Sequence, residues 1–438
     1  MAGPLRDERR PVTASAIRRV AVIGGGWAGL AAAVRACSLD HQVSLFEMAP
    51  QLGGRARSVT HDGQTLDNGQ HILIGAYRDT LALMRQVGVD PDAVLHRQPL
   101  TLCYPDGSGL RLPPGPALPA FARGVLGWRD LPWRDRLGLL VLAARWRLQG
   151  FRCPPAMTVA ELARRCPPQA YRELIEPLCV AALNTPAEQA SAQVLLTVLR
   201  DALFGAPGAA DLLLPRAPLD ALLPTAAQQW LRAHGAQVSL GQRVMQMSLS
   251  GEGVNIDGET FDHAIVATPP GEAARLLAAL APDWSRDAAA FSYQPIITAW
   301  LRAPQARWPQ PMMALRADGL RPAQFGFDLG ALGGQAGTFA LVVSGAAAWV
   351  DAGTEATRTA LLHQWEEAFP TTRHGPAEWL ASRTEKRATF ACKPLLQRAP
   401  ARVHARVTVA GDHVQGPYPA TLEGAVRSGL AAAEALAG

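Results

Sequence analysis

Three glycines near the start of the chain have the spacing of a dinucleotide-binding loop. Gly24, Gly26 and Gly29 form a G-x-G-x-x-G pattern. In such a loop the first glycine turns the chain, the second lets the backbone approach a pyrophosphate, and the third lets a helix pack on a strand. Trp27 and Ala28 would open that helix. Its N-terminus is expected to face the phosphates.

An acid and a second glycine pair follow this loop. Glu47 ends a second predicted strand, 42–46, about 20 residues beyond the glycines, where an acid binds a ribose hydroxyl in dinucleotide folds. Gly53, Gly54 and Arg55 come shortly after it. A guanidinium offers paired donors to phosphate oxygens, and adjacent glycines let backbone N–H groups reach the same anion. Alternatively, Glu47 is a solvated acid at a strand end, and Gly53 and Gly54 form a surface turn.

A third pattern lies near the other end of the chain. An apolar run, 407–410, ends in Gly411 and Asp412, and the segment 417–425 then leads into a helix that is predicted to reach Leu436. A terminal strand and helix without a ligand would not explain why both ends carry such patterns. We therefore expect the two ends of the chain to build one site.

A polar phrase, Asp67 to His71, runs directly into the apolar residues 72–74. Segments that enter an active site often have this character, although a turn followed by a buried strand would look the same. His71 is the residue of this phrase that can exchange a proton near neutral pH.

These patterns together resemble the FAD-dependent amine oxidase and phytoene desaturase superfamily. Within it, the phrase from Asp67 to His71 with Gly75 and Tyr77 resembles the squalene-associated branch, the bacterial hydroxysqualene dehydroxylases. The resemblance implies non-covalently bound FAD and a long apolar isoprenoid substrate. The implied reaction removes the allylic hydroxyl of hydroxysqualene and gives squalene by hydride transfer from reduced FAD.

The resemblance also implies which residues contact the pyrophosphate, the adenine, the ribitol chain and the flavin ring. Gly53, Gly54 and Arg55 would hold the pyrophosphate, the backbone of Val244 the adenine, and Asp412 the ribitol chain. Asn68, Gly69, Gln70 and His71 would border the flavin ring, together with the amides of Thr421, Leu422 and Glu423. Because hydroxide is a poor leaving group, an acid must supply a proton. The candidates for this catalytic role are His71, Asp67 and Tyr418, in that order.

Other functions remain open from the sequence. An oxidative carotenoid or phytoene desaturase would have an indistinguishable fold. A flavin amine oxidase ranks lower, because those enzymes resemble each other in a lysine near the flavin, and Lys386 and Lys393 lie too near Gly411 to match it. A non-catalytic flavoprotein or binding module is the last alternative. No second nucleotide motif identifies the electron donor that reduces FAD.

The elements that must position these residues predict an α/β (α+β) fold. The resemblance implies a GR2-type, Rossmann-like FAD-binding domain built from discontinuous segments, with an inserted mixed sheet-plus-helix substrate domain. The FAD-binding domain is predicted at 18–75, 209–270 and 400–438. The substrate domain, with a helical cap, is predicted at 76–208 and 271–399, and 1–17 is predicted to be a flexible N-terminus. No strand-like alternation is seen between Thr80 and Gly208.

One segment of the cap, 118–151, combines apolar residues with tryptophans and arginines. The apolar residues Leu137, Leu140, Val141, Ala144 and Leu148 fall on one helical face. This pattern suits a helix at a membrane surface, with indoles and guanidiniums at the depth of the lipid headgroups. A helix packed on the core of the cap explains it about as well.

Composition limits the remaining possibilities. The chain has 438 residues, 48% of them hydrophobic and 18% charged, which is typical of a globular protein. The net charge of +5 with only two lysines does not suggest a nucleic-acid partner. The six cysteines form no C-x-x-C pair, and no metal site is predicted. With no membrane-spanning run, we predict a cytoplasmic protein, with the inner face of the cell membrane as the surface that 118–151 would contact.

Overall fold

A computed structural model describes residues 17–61, 63–203, 205–251 and 253–437. The predicted flexible segment 1–17 lies outside these residues except for its last member. Strands and helices alternate along most of the chain. The strands are β1 (Arg19–Ile23), β2 (Gln42–Glu47), β3 (Ser58–His61), β4 (Gln64–Asp67), β5 (Leu73–Ile74), β6 (Leu95–Gln98), β7 (Thr101–Cys103), β8 (Gly109–Arg111), β9 (Leu212–Pro215), β10 (Gln237–Leu240), β11 (Met247–Leu249), β12 (Val254–Ile256), β13 (Glu259–Phe261), β14 (His263–Val266), β15 (Tyr293–Arg302), β16 (Met312–Ala314), β17 (Phe325–Asp328), β18 (Thr338–Val343), β19 (Glu378–Phe390), β20 (Arg402–His404) and β21 (Val407–Val409).

The helices range from single turns to four turns. They are α1 (Trp27–Ser38), α2 (Arg78–Gln86), α3 (Pro91–Val94), α4 (Ala117–Leu126), α5 (Trp133–Leu148), α6 (Val159–Leu162), α7 (Pro168–Ala170), α8 (Glu176–Leu183), α9 (Ala192–Leu203), α10 (Leu219–Leu222), α11 (Pro224–Ala233), α12 (Pro270–Leu277), α13 (Pro282–Ala289), α14 (Ala347–Ala352), α15 (Thr354–Ala368), α16 (Thr371–His374) and α17 (Leu422–Glu434). A π-helical turn, Tyr171–Ile175, joins α7 to α8. The single helix predicted at 219–233 is interrupted at Leu223, because Pro224 begins a new helix there.

A six-stranded sheet in the order β10-β2-β1-β14-β21-β20 carries the two terminal motifs. Its strands are parallel except the edge strand β20. Along β1, Val20 and Val22 join a core with α1 and α17, while Ala21 and Ile23 join a core with α12 and α13 on the opposite face. A sheet buried on both faces explains the unbroken apolar run of this strand. The predicted α/β class is therefore confirmed.

A second, antiparallel sheet has the order β16-β17-β18-β15-β19. Its two long strands pair so that Thr298 lies opposite Arg383 and Ile296 opposite Glu385. This sheet shares one core with the cap helices, and that core includes Trp128. The sheet and the cap thus form one packed unit, although the predicted domain boundaries themselves stay a prediction.

The expectation of no strands between Thr80 and Gly208 is wrong. Strands β6, β7 and β8 lie in this stretch, and β6 pairs with β9 to join the small sheet β5-β9-β6. Each of the three has only three or four residues, which is too short for a period of two to stand out. Among the described helices, none combines the length and the apolar character that crossing a bilayer requires.

Candidate functional site

A large cavity of about 970 Å³ lies beside the carboxyl ends of the parallel strands. Its wall combines the N-terminal motifs, the C-terminal motif and the antiparallel sheet. The predicted site residues that line it are Gly24, Gly26, Trp27, Ala28, Glu47, Gly53, Gly54, Arg55, Asn68, Gly69, Gln70, His71, Val244, Gly411, Asp412, Thr421 and Leu422. Four predicted site residues are not among its lining residues, namely Gly29, Asp67, Tyr418 and Glu423.

The first glycine loop presents an uncapped helix end to this cavity. Gly26 is the N-cap of α1, and no side chain caps the helix. Gly29 lies one turn further, where a Cβ would collide with the carbonyl oxygen of Gly24. The helix can therefore approach the strand only with glycine at this position. The free helix end is well suited to bind an anion.

The two glycine loops touch each other. Gly26 and Gly53 form an isolated parallel bridge, and the N–H of Gly53 donates to the carbonyl oxygen of Gly25 at 2.9 Å. The indole N–H of Trp27 donates to the carbonyl oxygen of Ala56 at 3.1 Å. These bonds make one continuous backbone cradle from segments that the sequence separates.

Glu47 fixes the position of the first loop. Its buried carboxylate accepts the N–H of Gly25 at 2.6 Å and the N–H of Ala49 at 2.7 Å. Each carboxylate oxygen has a second acceptor site. Glu47 can therefore accept hydroxyl groups of a ligand while it holds the loop.

Arg55 and Asp412 join the two ends of the chain inside the cavity. The Nη2 of Arg55 lies 2.6 Å from the Oδ2 of Asp412, and Arg55 also donates through Nη1 to the carbonyl oxygen of Ala388 at 2.7 Å. Burial raises the pKa of Asp412, but the Arg55 guanidinium and the neighbouring His413 outweigh it and hold that pKa well below its usual range. Asp412 is thus a permanent anion, and Arg55 stays charged beside it.

His71 reaches the cavity in a defined tautomer. Its Nδ1 lies 3.0 Å from the carbonyl oxygen of Gly69, and because a carbonyl only accepts, Nδ1 carries the hydrogen. Burial is the main cause that lowers the pKa of His71, and the charge of Arg55 lowers it further. The ring is therefore neutral near pH 7, with its Nε2 lone pair available as an acceptor.

The other two predicted proton donors do not line this large cavity. Asp67 accepts hydrogen bonds from Ser58 Oγ at 2.7 Å and from the N–H of Leu219 at 3.0 Å. Tyr418 donates through its hydroxyl to Asp201 at 2.7 Å. Asp67 ends β4, and its Oδ1 accepts the N–H that begins α10, which the spacing of residues along the chain does not reveal.

The side chain of Glu423 has a structural role, separate from the contact with the flavin that is predicted for its backbone amide. Its carboxylate accepts the N–H of Thr80 at 2.9 Å, the hydroxyl of Thr80 at 2.7 Å and the N–H of Asp79 at 3.2 Å. A carboxylate at these positions caps the first turn of α2. The side chain of Glu423 thus holds α2 against α17.

The sequence reasoning missed three charged residues on β19. Arg383, Glu385 and Arg387 line the cavity. Arg383 donates to the Oδ1 of Asn68 at 2.5 Å, and the Nδ2 of Asn68 donates to the carbonyl oxygen of Arg55 at 2.8 Å. Arg383, Glu385 and Arg387 recur with a period of two in a long strand, which places them on one face. This spacing is the sequence pattern from which they could have been predicted.

His413 is a fourth cavity residue that was not predicted from the sequence. It is 3% exposed, lines the cavity and packs edge-on against Phe291. Its Nε2 has no hydrogen-bond partner among the described residues. A buried polar atom of this kind needs a hydrogen-bond partner. We therefore expect a ligand atom to bind to it.

A smaller cavity of about 150 Å³ adjoins the large one and is mostly apolar. Helix α9 provides much of its wall, and its polar side chains are Asp201, Tyr418 and Glu423 with Tyr77 and Thr421. The residues that line both cavities are Ile72, Tyr77, Ala181, Ala182, Phe325 and Thr421. The large cavity, which contains the charged and polar groups described above, therefore shares a wall with a smaller, mostly apolar one. No cluster of potential metal ligands is found among the described residues.

Similarity to known proteins agrees with this arrangement. Three bacterial hydroxysqualene dehydroxylases are 26% to 28% identical to the chain. The one from Rhodopseudomonas palustris is 28% identical over 452 residues, which cover 95% of this chain and 98% of the relative. A probable zeta-carotene desaturase from Synechococcus elongatus is 41% identical, but only over 71 residues, which cover 16% of this chain and 15% of the relative.

The fold also matches solved structures. An oxidoreductase from Methanosarcina mazei superposes with a TM-score of 0.72 at 17% identity, covering 95% of this chain and all of that protein. The predicted fold is thereby confirmed. Residues 27–437 match the family of flavin containing amine oxidoreductases. The resemblance inferred from the glycine, acid and Gly-Asp motifs is confirmed, the cofactor is a flavin, and the chain belongs to this family of flavin-dependent oxidoreductases.

Proposed function

We propose that this enzyme is an FAD-dependent hydroxysqualene dehydroxylase, which replaces the allylic hydroxyl of hydroxysqualene by hydrogen to give squalene. The single observation that carries the proposal is the cavity of about 970 Å³, lined by both charged and apolar residues, that shares a wall with a smaller, mostly apolar one. The first has room for a dinucleotide, and the second suits a hydrocarbon chain. Similarity to the dehydroxylases over nearly the whole chain supports it.

The residues present fit non-covalent FAD. Gly26 and Gly54 leave open backbone at the uncapped end of α1, which suits a pyrophosphate. Glu47 can accept ribose hydroxyls, and Val244 lines the cavity where the adenine is expected. The unpartnered Nε2 of His413 supplies a further polar contact. When bound, reduced FAD supplies the hydride of the reaction.

His71 is the proposed proton donor, because it is the one of the three predicted candidates that lines the large cavity, whereas Tyr418 lines the smaller one. In its neutral form, Nε2 accepts a hydrogen bond from the substrate hydroxyl. Once Nε2 has taken up a proton from solvent, it donates that proton to the departing oxygen, which leaves as water, and His71 returns to its neutral state. The carbon that loses the oxygen receives the hydride, so that atoms and charges balance.

The antiparallel sheet and α8 would keep water from the reacting carbon. Phe325, Phe327 and Val342 turn apolar side chains to the large cavity, and Ala181 and Ala182 form part of the wall that both cavities share. We infer that one arm of the isoprenoid occupies the apolar cavity. The electron donor and the cytoplasmic location stay predictions.

The alternative is an oxidative desaturase of carotenoid type, which the short match to a zeta-carotene desaturase favours to a lesser degree. The two reactions run in opposite redox directions. An anaerobic single turnover separates them: the purified holoprotein is photoreduced, mixed with hydroxysqualene in detergent, and followed by flavin absorbance and by mass spectrometry of the lipid. Squalene with flavin reoxidation supports the dehydroxylase. Bleaching of the oxidised flavin by a polyene precursor, with no reaction of the reduced enzyme, would show an oxidative desaturase instead.

A further inference from the structure

Helix α5 has two apolar faces, and only one of them is covered. Leu139, Leu142 and Trp146 are buried against the cap. On the opposite side Trp133, Leu137, Val141 and Leu148 are 64%, 46%, 68% and 88% exposed. The sequence left open whether the apolar stripe of this helix packs on the cap. Three of the residues in that stripe, Leu137, Val141 and Leu148, instead face outward.

The exposed residues form a continuous stripe. At 3.6 residues per turn, Trp133, Leu137, Val141 and Leu148 lie within about 80° of the helix circumference and extend over about 22 Å. Half of the exposed large hydrophobic residues among the described part of the chain lie in 118–148, since α4 adds Leu118 and Leu126. Isolated exposed apolar residues need no explanation, but a cluster does.

On α5 itself, the charges beside the stripe are positive. Arg134 and Arg145 are exposed along one edge of it, and the guanidinium of Arg134 lies 5.7 Å from the ring centroid of Trp133. The only acid in α5 is Asp135, which helical geometry places on the opposite side, about 120° or more from every residue of the stripe. An apolar stripe with a cationic edge matches an anionic lipid surface, with indole and guanidinium groups at headgroup depth.

Packing contacts of α4 connect the exposed stripe of α5 with the wall of the apolar cavity. Helix α4 packs against both α5 and α9. On α9, Leu195, Val198 and Leu199 line the apolar cavity. The exposed stripe and the apolar cavity therefore belong to adjoining layers of the same cap.

We propose that the exposed stripe of α5, composed of Trp133, Leu137, Val141 and Leu148, docks the enzyme on an anionic lipid bilayer. The helix lies parallel to the surface, with its apolar stripe below the headgroups and Arg134 and Arg145 on lipid phosphates. Docking brings the cap to the phase in which a long isoprenoid dissolves. That last consequence rests on the proposed function, whereas the docking itself does not.

Vesicle flotation of the full-length holoprotein tests the docking. Wild-type protein is expected to float with vesicles of phosphatidylcholine and phosphatidylglycerol. The variant Val141→Glu/Leu148→Glu should bind at least about tenfold more weakly, because two apolar side chains no longer enter the bilayer. The matched control Leu320→Glu/Leu395→Glu changes two exposed leucines elsewhere on the surface, which are 80% and 62% exposed, and should bind like wild type.

The charge contribution has its own variant. Arg134→Ala/Arg145→Ala should weaken binding on the order of tenfold on vesicles with phosphatidylglycerol and much less on pure phosphatidylcholine. Flavin content and thermal melting should be unchanged in all three variants, since every substituted residue is exposed.

Three results would overturn the proposal. They are failure of wild-type protein to float, equal flotation of wild type and Val141→Glu/Leu148→Glu, and a dimer in solution that this variant converts to monomers, which would show a second copy on the stripe.

Turnover separates docking from the proposed function. The stripe variant should convert hydroxysqualene normally in detergent and slowly in vesicles, whereas absence of conversion by wild type in detergent would refute the function and leave the flotation result standing.

Discussion

Gly26 faces Gly54 across the gap between the two glycine loops, and there is room for one methyl group between them. A Cβ on Gly26 would lie 3.9 Å from the Cα of Gly54, and the backbone of Gly26 has an ordinary φ of −74°. We therefore predict that Gly26→Ala folds normally but loses flavin, because the methyl group occupies the space that the pyrophosphate needs. Flavin absorbance per protein after gel filtration, together with the melting temperature, checks this.

A control glycine shows whether the effect belongs to the loop. Gly319→Ala adds a methyl group in open space away from the cavity and should keep both flavin and stability. The opposite control is Gly29→Ala, whose Cβ would collide with the carbonyl oxygen of Gly24 and should lower the melting temperature. Full flavin content in Gly26→Ala would contradict the assignment of this loop to the cofactor.

The ion pair of Arg55 and Asp412 should hold both the fold and the flavin. The two residues lie 357 positions apart in the chain and 2.6 Å apart in space. In Asp412→Asn, Arg55 would lose its anion at a site where Asp412 is 8% and Arg55 38% exposed, and we expect the free energy of unfolding to fall by about 1 to 3 kcal/mol, less than for a fully buried pair. Flavin affinity should fall as well.

Denaturant titration and flavin binding to the apoprotein measure these two effects. Asp318→Asn removes one of the two acids that pair with Arg321 at the surface, where Asp318 is 44% exposed, and should change the free energy of unfolding by less than about 1 kcal/mol. Equal effects of Asp412→Asn and Asp318→Asn would show that the first pair has no special role.

The parts of the site that could be predicted from the sequence are those that local spacing determines. The loop of Gly24, Gly26 and Gly29 and the terminal Gly411 and Asp412 each follow a parallel strand directly. The carboxyl ends of parallel strands meet at one edge of the sheet, so strand order alone brings these motifs together.

Other parts depend on pairings that no local pattern reports. Arg383, Glu385 and Arg387 reach the cavity because β19 pairs with β15 in a register set by the whole antiparallel sheet. Asp67 accepts the N–H of Leu219 because α10 packs beside β4. Contacts of this kind join segments far apart in the chain, and a list of candidate acids cannot rank them.

His71 should control the pH dependence of the chemical step. Its pKa is lowered from 6.5, mainly by burial, so the protonated form increases as the pH falls toward and below that value. We predict that the single-turnover rate rises as the pH falls from about 8, by up to about tenfold per pH unit while His71 is mostly neutral. His71→Gln should retain flavin, react about 10² to 10⁴ times more slowly and lose this slope. The same slope in His71→Gln would assign the proton to another group.

His263 should make the fold less stable in acid. Burial, and then the charges of Arg18 and Arg406, lower its pKa from 6.5 to about 4. The unfolded chain takes up this proton near pH 6.5 and the folded chain only near pH 4, so stability is lost as the pH falls between these two values. Above pH 6.5 the contribution of His263 to the free energy of unfolding no longer changes with pH.

His263→Gln removes this titration and keeps an acceptor for the guanidinium of Arg18, which lies 3.0 Å from the Nε2 of His263. Its free energy of unfolding should therefore fall less than that of wild type between pH 7 and pH 4. The control is His363→Gln, at a side chain that is 70% exposed. Parallel stability curves for wild type and His263→Gln would exclude His263 as the cause.

Ala182 should decide whether a long substrate can use both cavities. It lies near the end of α8 and lines the large cavity and the apolar one. In Ala182→Phe the ring would fill the shared wall, and because a misplaced substrate loses its reactive geometry, we expect turnover of hydroxysqualene to fall by about 10². Flavin content should stay at the wild-type level, and a shorter allylic isoprenoid alcohol should still react. Ala278→Phe, at an exposed position at the end of α12, controls for the added ring. If Ala182→Phe slows the short and the long alcohol equally, the apolar cavity does not hold the isoprenoid arm, and the arm must leave the large cavity by another route.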